Sequence, residues 1–388
     1  MPRARLLQAA GHLWASHGYG CIEADRVAAL AGLAPSAIDD HFGGFEHLLE
    51  ASFRDLIDHC RAWWQARLAP LDGQSAPNAE VAGFALANLI DELCVHERDM
   101  SFAWFECQAM AARNAAFAGV ATQWHAVWRD AWDRLAAYIL PPEARDLLYP
   151  FADGELCLHR VAWQAAEDRA CLFETCTAWV RLLTDGQTGP MPLREALWAR
   201  CENPPPLPWA PDSPEAAIAL AAADIVGTSG VGGVTHEAVA TQARLPSDLV
   251  EHHFSTTDEL LYAAFAAIYG QIIGADQRAA HPVPPGAYAA GVARLIAHAD
   301  AQANFLSLDE FTTAAARNPL LTRFGGTLRY ARGRTLSRTL PGLPSPLAGA
   351  LISSSTNGLI RQARFVPQSD REAWAETMCL KLLRRVIR

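Results

Sequence analysis

The sequence has almost no lysine and none of the common catalytic motifs. Lys381 is the single lysine among 32 basic residues, and 42 acidic residues bring the formal net charge to −10. A chain with this charge is a poor general binder of nucleic acid, so any contact with DNA requires a local basic patch. The sequence contains no phosphate-binding loop and no nucleophile elbow, and we therefore assign no catalytic residue and no cofactor.

Signals for secretion, membrane insertion and metal binding are also lacking. The longest uncharged stretch, residues 339–360, is interrupted by Pro341, Pro344 and Pro346, so we predict no membrane partner. The nine cysteines have no CxxC spacing, which favours reduced, buried thiols in the cytoplasm. Glu92 and His96 would share one helix face, but two ligands do not make a site, and we predict no metal.

The chain repeats itself on either side of a proline-rich segment. Six prolines fall within residues 202–214, and such a run cannot be helical. Residues 6–53 align without a gap to residues 218–265, with 14 identities in 48 positions. A later match at an offset of 204 pairs Glu106 with Glu310 and Arg113 with Arg317. The two halves are therefore predicted to be copies of one unit.

Each copy has the pattern of an all-α unit. Leu6, Ala10, Leu13 and Trp14 keep one face apolar at helical spacing. Glycines at 18, 20, 32, 43 and 44 separate this helix from short helices predicted near residues 26–31 and 36–42, and from a long helix over residues 46–68. Two short helices joined by a glycine turn are typical of a helix-turn-helix.

The segment that these helices cover contains a V-A-x-x-A-G-L run at residues 27–33, followed by His41-Phe42 and Leu48-Leu49. A weaker second copy has the corresponding run at residues 239–245, followed by His253-Phe254 and Leu260-Leu261. These residues carry a resemblance to the TetR family of transcriptional regulators. The resemblance implies a helix-turn-helix head on a helical ligand-binding body, and homodimers that meet through a four-helix bundle. Two copies in one chain imply a single-chain pseudo-dimer, monomeric in solution, with its bundle near residues 156–183 and 347–364 or 374–387.

The predicted recognition helices, residues 35–42 and 247–254, depart from the family in charge. The position of the family's phosphate-contacting tyrosine is Asp39 in the first copy and Glu251 in the second, and the position of its lysine is Phe45 and Thr257. Residues 3–54 contain four arginines and six acidic residues, and residues 215–265 contain one arginine and seven acidic residues. Because Lys and Arg supply most of the affinity for phosphates, these heads must approach DNA against repulsion.

Two interpretations of the heads remain open. In the first, the first head still docks on duplex DNA, weakly or asymmetrically, through Arg3, Arg5, Arg26, Ser36 and His41. The candidate DNA contacts of the second head are Thr235, Arg244, Ser247 and His252. In the second, the heads are retained only as folding modules, and the His41-Phe42 and His253-Phe254 pairs pack the core.

Tryptophan is concentrated in residues 1–209, where eleven of the twelve lie. Trp124, Trp128 and Trp132 recur every four residues and so share one helix face. We interpret these rings either as core packing or as an aromatic pocket for a flat or cationic small molecule. The candidate ligand-binding residues are Trp63, Trp104, Glu106, Gln108, Trp128, His159 and Trp163.

The second half carries a cluster of arginines between Arg317 and Arg338. Three explanations would account for this cluster. The arginines could form a solvated helix face, they could pair with acidic residues of the more acidic first half, or they could contact an acidic partner.

The sequence predicts an all-α chain of five segments: a first head over 1–52, a first body over 53–200, a linker over 201–214, a degenerate second head over 215–264 and a second body over 265–388. We predict a TetR-like, ligand-responsive transcriptional regulator with atypical, acidic DNA-reading heads. The alternative is a repurposed TetR-like fold that has lost DNA binding and binds or transforms a small aromatic or cationic molecule in the tryptophan-rich first body.

Overall fold

A computed structural model describes residues 1–18, 22–201, 207–278 and 281–387, without the side chains of residues 273–278 and 299–304. These residues form α-helices joined by 3-10 turns and loops, with no β-strand among them, so the chain is all-α as predicted. In the first half the helices are α1 (Pro2–Ser16), α2 (Ala24–Ala31), α3 (Ser36–Phe42), α4 (Phe45–Leu68), α5 (Ala79–Val95), α6 (Arg98–Arg113), α7 (Ala118–Ile139), α8 (Leu148–His159), α9 (Ala165–Asp185) and α10 (Pro192–Arg200).

The second half is also helical. Its helices are α11 (Pro214–Ser229), α12 (His236–Ala243), α13 (Ser247–His253), α14 (Thr257–Arg278), α15 (Pro285–Ala297), α16 (Ala299–Ala315), α17 (Gly325–Tyr330), α18 (Arg334–Thr339), α19 (Ala348–Gln362) and α20 (Arg371–Val386). Among the described residues, no helix has both the length and the apolar composition needed to cross a membrane.

The first four helices of each half have nearly the same boundaries once the chain is shifted by 212 residues. The shift places α2 on α12 at both ends and places the starts of α1 and α4 on those of α11 and α14. Helix α13 begins one residue earlier than the shift from α3 gives. The gap-free sequence match over 6–53 therefore extends to a match of secondary structure.

The turn after the second helix has the same backbone conformation in both halves. Gly32 ends α2 at φ 63° and ψ 42°, and Arg244 ends α12 at φ 56° and ψ 41°. Left-handed backbone costs an L-residue with a side chain about 1–2 kcal/mol, whereas glycine adopts it freely. The second half therefore has this turn at a conformational cost that the glycine of the first half avoids.

The halves differ where the first has the unbroken helix α7. At an offset of 204 the corresponding segment contains a 3-10 turn, then α17, then α18, with a break at residues 331–333. Gly333 lies in this break at φ 80°, and a Cβ on it would clash with the backbone of Gly349 and Ala350. The break thus depends on a close approach of two backbones that only glycine allows.

The chain divides into two compact units. Unit 1 comprises Met1–Asp72 and Glu92–Arg134, and unit 2 comprises Gly73–Asp91 and Leu135–Arg388. In unit 1 the rings of Trp14 and Phe53 stack at 4.5 Å, and the indole N–H of Trp14 donates to the Ser52 hydroxyl at 3.1 Å. The division into five segments stays a prediction.

Within unit 2, helices α8 and α19 cross in close contact. A Cβ on Gly154 would clash with the carbonyl oxygen of Ser354, and a Cβ on Gly358 would clash with that of Pro150. At the offset of 204, Pro150 aligns with Ser354 and Gly154 with Gly358, so the two contacts exchange when the halves are swapped. Helix α8 begins at Leu148, earlier than the bundle segment expected from residue 156.

Arginines of the second half pair with acids of the first half inside unit 2. Arg361 Nε lies 2.5 Å from Asp153, and Arg329 Nε lies 3.3 Å from Asp168. Arg329 also donates to the carbonyl oxygens of Leu158 and Val161 at 3.0 and 3.1 Å. The arginine cluster is therefore not a solvated face at Arg329, whose side chain is 6% exposed.

Candidate nucleic-acid interface and ligand sites

The first head presents the polar side of α3 to solvent. Ile38 is the buried residue that anchors this seven-residue helix, while Ser36, Asp39, Asp40 and His41 are exposed. A partner molecule can contact the exposed side of a helix that is held in this way. Its exposed side carries two carboxylates and no guanidinium or ammonium group.

The predicted DNA contacts of the first head lie on three helices of unit 1. Arg26 on α2 is exposed, as are Ser36 and His41 on α3. The exposed guanidinium of Arg3 lies 5.1 Å from the ring centre of Phe42, a cation–π contact. Arg5 donates to the Gly32 carbonyl at 3.3 Å and so also supports the turn before α3.

In the second head, two of the predicted contacts hold local structure. The Thr235 hydroxyl accepts from the backbone N–H of Ala238 at 3.1 Å and caps α12, and Arg244 occupies the left-handed turn. Ser247 and His252 are exposed on α13. The side chains of Thr235, Arg244, Ser247 and His252 are all exposed. Helix α13 also exposes Asp248 and Glu251.

The interpretation in which the histidines of both heads pack the core is wrong for His41, which is exposed. Nδ1 of His253 lies 3.0 Å from a carboxylate oxygen of Glu215, and this contact joins α13 to α11. Phe254 is buried and Phe42 is half-buried, so the phenylalanines do contribute to packing. The family-like His-Phe pair is therefore split between a surface residue and a packing residue.

The predicted tryptophans of the first body pack ring against ring in unit 1. Trp63 lies 4.8 Å from Trp64, which lies 5.7 Å from Trp128, and Trp104 stacks on Trp128 at 6.0 Å. All four rings are buried. Such edge-to-face and offset-stacked pairs stabilise a core as well as they would line a pocket.

Polar candidates in the first body lie on α6. Gln108 is buried, and its Nε2 has no hydrogen-bond partner among the described residues. Glu106 is half-buried. An unsatisfied buried amide costs about 1–3 kcal/mol and is a position where a ligand or an ordered water could accept a hydrogen bond. A ligand site at Trp63, Trp104, Glu106, Gln108 and Trp128 stays a prediction.

The remaining ligand candidates, His159 and Trp163, belong to unit 2. The Arg329 guanidinium can only donate, so Nδ1 of His159, 3.0 Å from it, accepts, and the proton sits on Nε2, which donates to Asp91 at 2.9 Å. Burial lowers the pKa of His159, and the hydrogen bond to Asp91 opposes that shift. The imidazole is therefore neutral near pH 7 and part of a buried polar network.

Trp163 takes part in the same network through its backbone. Its N–H donates to Asp168 at 2.8 Å, and the Arg200 guanidinium lies 4.9 Å from the ring centre. The hydroxyl of Tyr330 donates to the other oxygen of Asp168 at 2.5 Å. These contacts give His159 and Trp163 a structural setting, and their ligand-binding role stays a prediction.

Unit 2 also contains a cavity that the sequence analysis missed. Its volume is about 400 Å³, and its lining includes Tyr269, Leu308, Leu328, Arg332, Leu336 and Asn357. The sequence contains one signal for this cavity. The offset of 204 aligns four smaller side chains with four tryptophans of the first half, namely Leu308, Leu328, Arg332 and Leu336 with Trp104, Trp124, Trp128 and Trp132.

Within the described part of the chain, no three His, Cys, Asp or Glu side chains are placed to hold a metal ion. The eight cysteines that the structure describes are all buried.

Comparison with known proteins finds similarity among solved structures. No family model and no curated protein matches the chain. Among solved structures the chain is similar to one from Streptomyces coelicolor A3(2), provisionally assigned as a transcriptional regulator, with 28% identity over 47% of this chain and 98% of that chain. The TM-score is 0.35, and at that value the similarity carries no argument about fold or function.

Proposed function

We propose that the chain is a ligand-responsive transcriptional regulator of TetR-like architecture, with two acidic heads that contact DNA weakly. The observation that carries the proposal is the solvent-facing helix α3, held by one buried residue after a glycine turn and matched by α13 after the Arg244 turn. This is the arrangement in which a helix-turn-helix presents its second helix to the major groove.

The paired heads imply a pseudo-dimer within one chain. Two observations support that architecture: the agreement of helix boundaries at an offset of 212, and the reciprocal contacts of Gly154 and Gly358. In a twofold interface each contact has a partner in which the two residues exchange roles. Linking both copies in one chain keeps the second copy at high effective concentration and lets the heads diverge.

Electrostatics set how such heads would bind. Each phosphate neutralised by Lys or Arg steepens the salt dependence, with a slope near −0.9 per contact. Arg3, Arg5 and Arg26 are the basic candidates of the first head, so we expect a slope of magnitude about 3 or less. Ser36 and the backbone N–H groups at the start of α3 would add contacts that release few ions.

The test is fluorescence anisotropy with labelled duplex DNA from the chain's own upstream region, titrated at several salt concentrations. We expect binding at low salt with the shallow slope. Arg26→Gln should weaken binding and flatten the slope by about 1, because one phosphate contact is lost. The double variant Asp39→Asn with Asp40→Asn should tighten binding, because it removes two repelling charges.

Arg61→Gln is the matched control. This exposed arginine on α4 pairs with Asp58 at 2.6 Å, and its loss changes the net charge as Arg26→Gln does without touching the head. Absence of binding at every salt concentration would remove the proposal, and equal effects of the two arginine variants would remove the assigned docking face.

A second candidate is a TetR-like fold that no longer binds DNA and instead binds or transforms a small molecule. It is favoured by the exposed acids on both recognition helices, Asp39 and Asp40 on α3 with Asp248 and Glu251 on α13. Quenching of tryptophan fluorescence by aromatic or cationic metabolites tests it, with Gln108→Leu expected to weaken binding in the first body. Metabolite binding without any DNA binding would favour this candidate over the regulator.

A further inference from the structure

The two bodies differ in what fills their centres. Four aligned positions hold tryptophan in the first half, and in the second half they hold Leu308, Leu328, Arg332 and Leu336. The four indoles of the first half are buried in ring contact, whereas the four residues of the second half line the cavity of about 400 Å³. Replacing large rings by smaller side chains leaves unfilled volume, because surrounding helices collapse only in part.

The size and lining of this cavity suit a small molecule. Small-molecule sites commonly enclose about 300–1,000 Å³, with apolar walls and a few placed polar groups. Leu308, Leu328 and Leu336 supply apolar walls here, with Tyr269 at the side of α14. Ser353 and Asn357 on α19 add hydrogen-bonding groups.

Two arginines line the cavity: Arg334, whose Nη2 donates to the carbonyl oxygen of Cys201 at 3.1 Å, and Arg332. Arg332 lies in the break between α17 and α18, where Gly333 turns the chain against Gly349, so its position is fixed by backbone packing. Burial, and the nearby guanidinium of Arg361, lower the pKa of Arg332. Arg332 is half-buried, and because an arginine remains charged in proteins, it keeps a positive charge beside the cavity.

The two carboxylates whose charges act on Arg332 are already bound to other side chains. Asp309 binds Arg361 and Arg364 at 2.9 and 3.0 Å, and Glu155 accepts from the Ser354 hydroxyl at 2.5 Å. Across the described residues, neither of them nor any other carboxylate forms an ion pair with Arg332. Asp309 and Glu155 therefore act on Arg332 only at longer range, and Arg332 lines the cavity with a positive charge.

We propose that this cavity binds a small apolar molecule bearing one carboxylate, with the carboxylate on Arg332 and the apolar part among Leu308, Leu328 and Leu336. The inference deepens the proposed function, because it names the chemical class of an effector and assigns it to the second body. In the first body, the four packed indoles occupy the positions that correspond to the cavity lining.

The test is isothermal titration calorimetry of the full chain with sodium octanoate, and with octan-1-ol and octylammonium as probes of equal length. We expect one octanoate per chain, with much weaker binding of the alcohol and the amine. Arg332→Met keeps an unbranched stem and removes the charge, and it should weaken octanoate binding about ten- to a hundredfold. Arg332→Lys should retain part of the affinity.

Two further variants locate the site and control for charge. Leu328→Trp restores the residue of the first half and should abolish octanoate binding by filling the cavity, while circular dichroism confirms that the helices remain. Arg338→Met removes an exposed arginine of the same segment and should leave the affinity unchanged.

The proposal is overturned if octanoate fails to bind, if octan-1-ol binds as tightly, or if Arg332→Met binds like the unaltered chain. Because this assay contains no DNA, its failure is distinguishable from a failure of the regulator proposal in the anisotropy experiment.

Discussion

At the scale of single residues, His125 shows how the packed indoles of unit 1 affect a titrating group. Its ring stacks on Trp104 at a centre distance of 6.5 Å. Burial, aided by the adjacent charge of Arg129, lowers the pKa of His125 to about 4. In the unfolded chain a histidine titrates near 6.5, so the unfolded state binds more protons than the folded state between about pH 4 and 6.5. Stability is therefore unaffected above that window and falls as the pH drops through it.

We expect the midpoint of thermal unfolding to fall between pH 7 and pH 5, and to fall less in His125→Gln, whose side chain does not titrate. Comparing the two pH values within each protein cancels the packing change that the substitution itself causes. An equal drop in the two proteins, followed by circular dichroism, would show that His125 does not contribute to the acid sensitivity.

The residue scale also shows where prediction from sequence stops. The exposure of Ser36 and His41 could be expected, because both lie on the polar side of a short helix with one apolar anchor, Ile38. The setting of His159 could not, since its partners Asp91 and Arg329 are 68 and 170 residues away in the chain. Long-range polar partners leave no periodic trace in the sequence.

At the scale of helices, local signals predicted the elements well. The helix expected over residues 36–42 is α3, and the one expected over 46–68 is α4, which begins one residue earlier. The break between α17 and α18 was not predicted, because it depends on a contact between Gly333 and Gly349 that are far apart along the chain. The cavity beside Arg332 follows from that break and was missed with it.

The crossing of α8 and α19 gives the prediction at this scale. Gly154→Ala and Gly358→Ala should each lower the free energy of unfolding by about 1–3 kcal/mol or more, because the added methyl meets backbone carbonyls that cannot rotate away. Urea denaturation followed by circular dichroism measures the change. Both substitutions would otherwise be favourable in a helix, so a loss of stability is diagnostic of the crossing.

Gly291→Ala is the matched control for that experiment. Gly291 lies inside α15, also in unit 2, and a Cβ on it would meet nothing within 4 Å. Helix propensity then predicts a gain of up to about 1 kcal/mol. If the crossing variants gained stability as the control does, the close approach of α8 and α19 would be absent in solution.

At the scale of the whole molecule, unit 2 draws on both halves of the sequence. It contains residues 73–91 and 135–201 before the proline-rich segment and the rest of the chain after it. The first half supplies acids such as Asp153 and Asp168, and the second supplies Arg361 and Arg329. The excess of acidic residues in the first half is thus partly paired inside the fold with arginines of the second half.

This sharing predicts that the two halves stay together after the connection is cut. A protease site inserted between Ala210 and Pro211, in an exposed stretch, would yield two fragments. We expect the fragments to co-elute in size-exclusion chromatography with the mass of one intact chain, because the α8–α19 crossing and the buried ion pairs join them.

Arg361→Ala should separate the cleaved fragments at micromolar concentration, since it leaves Asp153 as a buried charge without its cation, at a cost of about 3–5 kcal/mol. Lys381→Ala is the control: its pair with Asp146 also joins the halves, but it lies at the surface, where such pairs contribute about 0–1 kcal/mol. Fragments that elute apart without any substitution would show that the linker, and not the helix packing, holds the halves together.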